Sequence, residues 1–154
     1  IAFIMELHEI KARLLSKCIN QQSEVIRQLQ QEIDEAQKQA NDYGQPKDRY
    51  DAFRTKLMRQ VEMFAKQLDK ANIVINTLQK INIDNKLTKV EFGALVITNK
   101  QKLFVSAGLG KVDIDGVEYY AISPLVPIFV ALKGKMKDDI ADFNGMTFFI
   151  EDVC

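Results

Sequence analysis

The sequence predicts an α+β protein in which an antiparallel helical hairpin, coiled-coil in character, precedes a small twisted antiparallel sheet packed on one short helix. Two observations lead there. Residues 1–83 hold a single Gly and a single Pro, Gly44 and Pro46, whereas 84–154 hold the other six Gly and two Pro. Such a shift in punctuation marks a boundary near Asn82–Lys86 and divides the chain into 1–83 and 84–154. The apolar period also changes at that point, from steps of three or four to the alternation of strands.

In the first half, Leu7, Ile10, Leu14, Cys18, Val25, Leu29, Ile33, Ala36 and Ala40 recur along one helical face, with one gap filled by Gln22. The rhythm resumes at Tyr50, Phe53, Leu57, Val61, Phe64, Leu68, Ala71, Ile75, Leu78 and Ile81. Between these stripes Asp42-Tyr43-Gly44-Gln45-Pro46 combines a helix terminator with a residue that turns its predecessor away from the helical region. Helices are therefore expected over 6–42 and 48–81, each roughly 54 Å long at 1.5 Å per residue, paired as a hairpin whose tip lies near residue 45.

The second half opens with strands at 94–98, 103–106 and 117–122, rich in β-branched and aromatic residues. Asn144-Gly145 between 139–143 and 146–153 is the strongest short hairpin signal in the chain. Residues 127–133 form the short helix, with Pro127 suited to its first turn and Gly134 to its end. Gly108-Leu109-Gly110-Lys111 lies among strands, without the strand-to-helix setting of a phosphate-binding loop, and is read as a turn.

Composition narrows the functional classes. Twenty-one Lys and Arg balance twenty-one Asp and Glu, so no global charge marks a nucleic-acid tail or a polybasic membrane arm. The apolar share of 47% is that of a globular protein, and no run of about eighteen apolar residues could cross a bilayer. A soluble, cytoplasmic protein is expected, with no membrane partner. The segment before Met5 lacks the form of a secretory signal, which places the native start near Met5. Cys18 and Cys154 have no CxxC or His partner and are read as incidental thiols. His8, the only histidine, has no Ser or Cys nucleophile arranged around it and is taken as a surface residue.

The sequence Ile122-Ser123-Pro124, Pro127-Ile128, Ala131-Leu132, Gly134-Lys135 and Asp139 resembles the stretch S-P-I-G-x-A-L-L-G-K-x-x-G-D of the bacterial Gre transcript cleavage factors. The closing Thr147–Val153 resembles that family's last strand. The chain departs at Val126, Phe129 and Lys137-Asp138, which replace the usual serine cap, a glycine, and part of V-G. The resemblance implies an FKBP-like C-terminal domain and a hairpin whose tip carries an acidic pair, D-x-x-E. Asp48-Arg49-Tyr50-Asp51 fills that place with Lys47 where the family has glycine. A second register aligns Gly44 with that glycine, sets Gln45 at the first acidic place and leaves only Asp48.

What the resemblance implies is a monomeric factor that binds RNA polymerase and brings its tip through the secondary channel to the RNA 3′ end. There Asp48 and Asp51 would share a Mg²⁺ with the polymerase site and promote cleavage of backtracked RNA, with no tightly bound cofactor and no active site of its own. The structural alternative makes Asp48 a helix N-cap and Asp51 a favourable first-turn acid. Lys47, Arg49, Arg54, Lys56 and Arg59 set five bases against two acids within thirteen residues, a local excess suited to a phosphate-rich partner such as RNA, or simply a solvated helix face. Phe129 is expected as an exposed polymerase contact, with core packing as its alternative. Three other readings stay open: a channel-occupying regulator without cleavage, an FKBP-like peptide-binding or isomerase module, and a helical dimer, against which the Gly44–Pro46 break counts.

Overall fold

The computed structural model describes residues 2–45 and 51–154, with side chains from residue 6 onward. It is α+β as expected. Two long helices, α1 (Ala2–Tyr43) and α2 (Ala52–Gln79), precede β1 (Leu95–Thr98), β2 (Lys102–Val105), β3 (Gly110–Ile114), β4 (Val117–Ile122), the short α3 (Pro127–Leu132), β5 (Ile140–Phe143) and β6 (Met146–Val153). Two compact units result, one of residues 1–19 with 77–154, the other of residues 20–76.

In the first unit the strands form one sheet in the order β3-β4-β2-β1-β6-β5. Every pairing between strands is antiparallel except β2 with β4. That exception follows from β3, whose first two residues, Gly110 and Lys111, belong to the stretch expected as a turn. After β2 the chain runs to the sheet edge as β3, reverses at Asp115-Gly116, and inserts β4 between the two. Asp115 and Gly116 both have positive φ, 53° and 83°, as do Asn144 and Gly145, 50° and 74°. Positive φ at both central residues is the requirement of the type I′ hairpin.

Both faces of this sheet are buried. On one, Val96, Leu103, Val105, Ala141, Phe148 and Ile150 form a core with Phe129 and Leu132 of α3. Pro127 occupies the first turn of α3 and Val126 precedes it without a side-chain cap. The glycine that ends this segment, Gly134, has φ of 78°, a conformation open to glycine at low cost. Its N–H and the carbonyl of Lys135 bond the carbonyl and N–H of Val90, tying the end of α3 to the segment preceding β1.

The opposite face presents Leu95, Phe104, Val112, Tyr119 and Ala121, also buried, and the first part of α1 covers it through buried Leu7, Leu14 and Cys18. Three cations fix that helix segment. Arg13 makes a bidentate pair with Asp115 at 2.6 and 3.0 Å, Lys17 donates to the carbonyl of Asp113, and Lys11 donates to the carbonyl of Cys154 at 3.1 Å. Lys11 is fully buried, and that burial lowers its pKa, opposed by negative charge at Cys154 and Glu91. The half-buried His8 is not the surface residue expected, since its Nδ1 is enclosed without a hydrogen-bond partner among the described residues.

In the second unit α1 and α2 run antiparallel. The gap in the apolar stripe proves to be a designed position: Gln22 is buried, 8% exposed, and its Nε2 donates to the carbonyl of Ala71 at 3.2 Å. One buried polar side chain in an apolar seam fixes helix register, because every shifted pairing leaves it unsatisfied. No described helix is long and apolar enough to cross a membrane.

Candidate functional site

The charged tip of the hairpin is built from the ends of two helices. Helix α1 terminates at Tyr43, and Gly44, at φ 87°, returns its N–H to the carbonyls of Ala40 and Asn41 at 3.2 Å each. Helix α2 starts at Ala52, four residues later than the expected start at 48. Asp51 is its cap: Oδ1 accepts the N–H of Arg54 at 3.3 Å, and its carbonyl accepts from the N–H and hydroxyl of Thr55. Asp51 therefore takes the capping place that the structural alternative gave to Asp48. The reason is local, since an aspartate side chain competes for the free N–H groups wherever the helix begins. Asp48, Lys47 and Arg49 lie outside the described residues.

Arg54 is held on the end of α1. A single nitrogen of its guanidinium donates to the carbonyl of Gly44 at 2.8 Å and to that of Ala40 at 3.2 Å. These carbonyls belong to the end of α1, where backbone acceptors lack helical partners and the dipole favours a cation. Arg54 thus closes the base of the tip. Beside it the rings of Tyr43 and Phe53 meet with centroids 4.8 Å apart, inclined by 51°. Lys56 and Arg59 remain exposed on α2.

Phe129 is 5% exposed and belongs to the sheet core, so it offers no ring to a partner. Its helix amphipathicity settles the matter: the flank that faces outward carries Val130, 65% exposed, with Leu125, 87% exposed, just before the helix. A concavity of about 520 Å³ opens where the β1–β2 and β3–β4 turns come together. Lys100, Lys102, Glu118 and Tyr120 line it, which makes it polar with a single aromatic ring. Among the described residues no three His, Cys, Asp or Glu gather into a metal-binding group.

The class defined by these features is a helical-hairpin protein with a sheet domain and a charged, capped tip. Solved structures similar to it include two of one factor. One is the crystal structure of GreA factor homolog 1 (Gfh1) protein of Thermus thermophilus, 16% identical over 86% of this chain and 94% of that one, with a TM-score of 0.32. The other, a structure of the transcription factor Gfh1, is 15% identical over 88% and 92%, with a TM-score of 0.33. No family model matches the chain, and no curated protein matches it.

Proposed function

We propose that this chain is a Gre-type factor acting on RNA polymerase in the cytoplasm, bringing its hairpin tip through the secondary channel to the RNA 3′ end. The observation that carries this is the roles its Gre-like stretch plays: Pro127 starts α3, Gly134 takes the left-handed turn that ends it, and Asp139 Oδ2 accepts the N–H of Met136 at 2.7 Å. Those residues build the helix and its flanks, which is reason for them to occur together. The charged tip on a separate helical hairpin supports the same reading. Asp48 and Asp51 are the residues that would hold the polymerase's second Mg²⁺, which supplies an activated water in two-metal cleavage. Docking on the polymerase would use exposed Leu125 and Val130 in place of buried Phe129.

A second reading, occupation of the channel without cleavage, is favoured by one observation: Asp51 is already committed as the cap of α2. One experiment separates them. Stalled, backtracked elongation complexes are incubated with the chain and Mg²⁺ and scored for short 3′ RNA fragments, with co-elution on core polymerase measured in parallel. Cleavage lost in the Asp48→Asn, Asp51→Asn double variant supports the first, since asparagine caps about as well as aspartate without the charge. Co-elution without cleavage supports the second. Failure to co-elute overturns both.

A further inference from the structure

The tip carries an aromatic ring that packing leaves half unused. Its apolar spacing places Phe53 in the hairpin seam with Leu57, yet Leu57 is buried and Phe53 is 49% exposed. Phe53 leans on Tyr43 at 4.8 Å, so one side of its ring is held in place while the rest meets solvent. Around it α2 is uniformly basic, for residues 52–61 contain Arg54, Lys56 and Arg59 and no acid. Phe53 and Lys56 are three residues apart, as are Lys56 and Arg59, and such pairs are neighbours on a helix surface. The guanidinium of Arg54 is anchored on the end of α1, which keeps the aromatic pair and both helix ends in one fixed arrangement.

A fixed aromatic face beside exposed cations is the combination by which proteins hold unpaired nucleotides, the ring stacking on a base and the cations meeting the phosphates. We infer that Phe53, backed by Tyr43, is a stacking platform for an unpaired base of single-stranded RNA, with Lys56 and Arg59 as its phosphate contacts. This rests on the reading of the tip as an RNA-facing end, and it supplies a contact that the acidic pair does not.

The test uses the full chain and a short oligoribonucleotide carrying 2-aminopurine at its 3′ end, titrated at several salt concentrations. The unmodified chain should bind and quench the probe. Phe53→Leu keeps an apolar side chain but removes the ring, and should weaken binding about fivefold or more and abolish the quench, as loss of one stacked base does. Phe53→Tyr should restore both. The Lys56→Gln, Arg59→Gln variant should flatten the salt dependence by about 0.7 per lost cation, the value for single strands. Wild-type quenching in Phe53→Leu, or no binding by the unmodified chain, overturns the inference. Co-elution with polymerase is scored separately: a chain that joins polymerase but does not quench the probe refutes only the platform, and a chain that quenches but does not join polymerase refutes only the proposed function.

Discussion

Replacing Arg54 by methionine tests what holds the tip together. Methionine matches the length and helix propensity of arginine, so the perturbation is confined to the guanidinium. Two carbonyl bonds vanish, at 2.8 and 3.2 Å. A bond from a charged donor is worth about 1.5–3 kcal/mol when buried, and these are only partly buried, so about 1 kcal/mol each is a fair value. Removing a cation from the end of α1 adds a few tenths of a kcal/mol. Local opening of the tip should become easier by about 2 kcal/mol, or roughly 30-fold in equilibrium constant. Native-state hydrogen exchange reads this directly at the amides of Gly44, residue 54 and Thr55, each bonded across the helix ends. Their exchange should accelerate by about that factor, while the amides of Leu95 and Val105 in the sheet stay unchanged. Arg54→Lys should fall between. Unaltered protection at Gly44 and residue 54 would show that the cap of Asp51 and the aromatic pair suffice, and that Arg54 is not the clasp.

The remaining expectations are simpler. Phe129→Ala should cost about 3–5 kcal/mol in urea unfolding, as a buried aromatic does, while Val130→Ala stays within about 0.5; equal effects would contradict the burial of one and exposure of the other. Because burial lowers the pKa of Lys11 from its ordinary 10.5, the unfolded chain binds more protons than the folded one between the lowered value and 10.5. Stability should therefore rise with pH through that window, and Lys11→Met should abolish the rise; the carbonyl it leaves still accepts the N–H of Leu95. An unchanged alkaline profile in that variant would sink the assignment. Burial pushes the Cys18 thiol up to about 11, so iodoacetamide at pH 8 should label the half-buried Cys154 and spare Cys18 until the chain unfolds; comparable labelling rates would count against it.

Most of the architecture was legible because its signals are local. Gly44 and Pro46 stop α1, Asn144-Gly145 closes β5 on β6, and Pro127 and Gly134 bracket α3, each through the backbone conformation that residue allows. Strand β3 was missed although Asp115-Gly116, a hairpin dipeptide of the same kind, sits between alternating Val112, Ile114 and Val117, Tyr119. Which strands pair is a non-local property, and the parallel β2–β4 contact leaves no mark in local spacing. The tip was less legible for a different reason. Asp48 and Asp51 are equally good caps by type, and periodicity does not mark where a helix starts, so the cap could not be told from its neighbour. Arg54 looked like any exposed base because its partners are backbone carbonyls, which have no residue signature. Phe129 lies on a six-residue helix, too short for its apolar pattern to say which side faces the sheet.

The burial of Lys11 beneath the strands bears on how the molecule is made. Its bond to Cys154 spans 143 positions, and the face it helps to cover includes Leu95, Phe104 and Tyr119. During synthesis these turns of α1 emerge before the sheet and have nothing to cover until the strands have followed. The hairpin of residues 20–76 needs only its own neighbours and can form early, whereas the sheet unit must wait and then close long loops, the slow kind of ordering. A fragment begun at residue 84 would lack its covering helix and leave that apolar face open to water. The piece to express for a study of the sheet is therefore residues 77–154 joined by a short linker to 1–19, in either order.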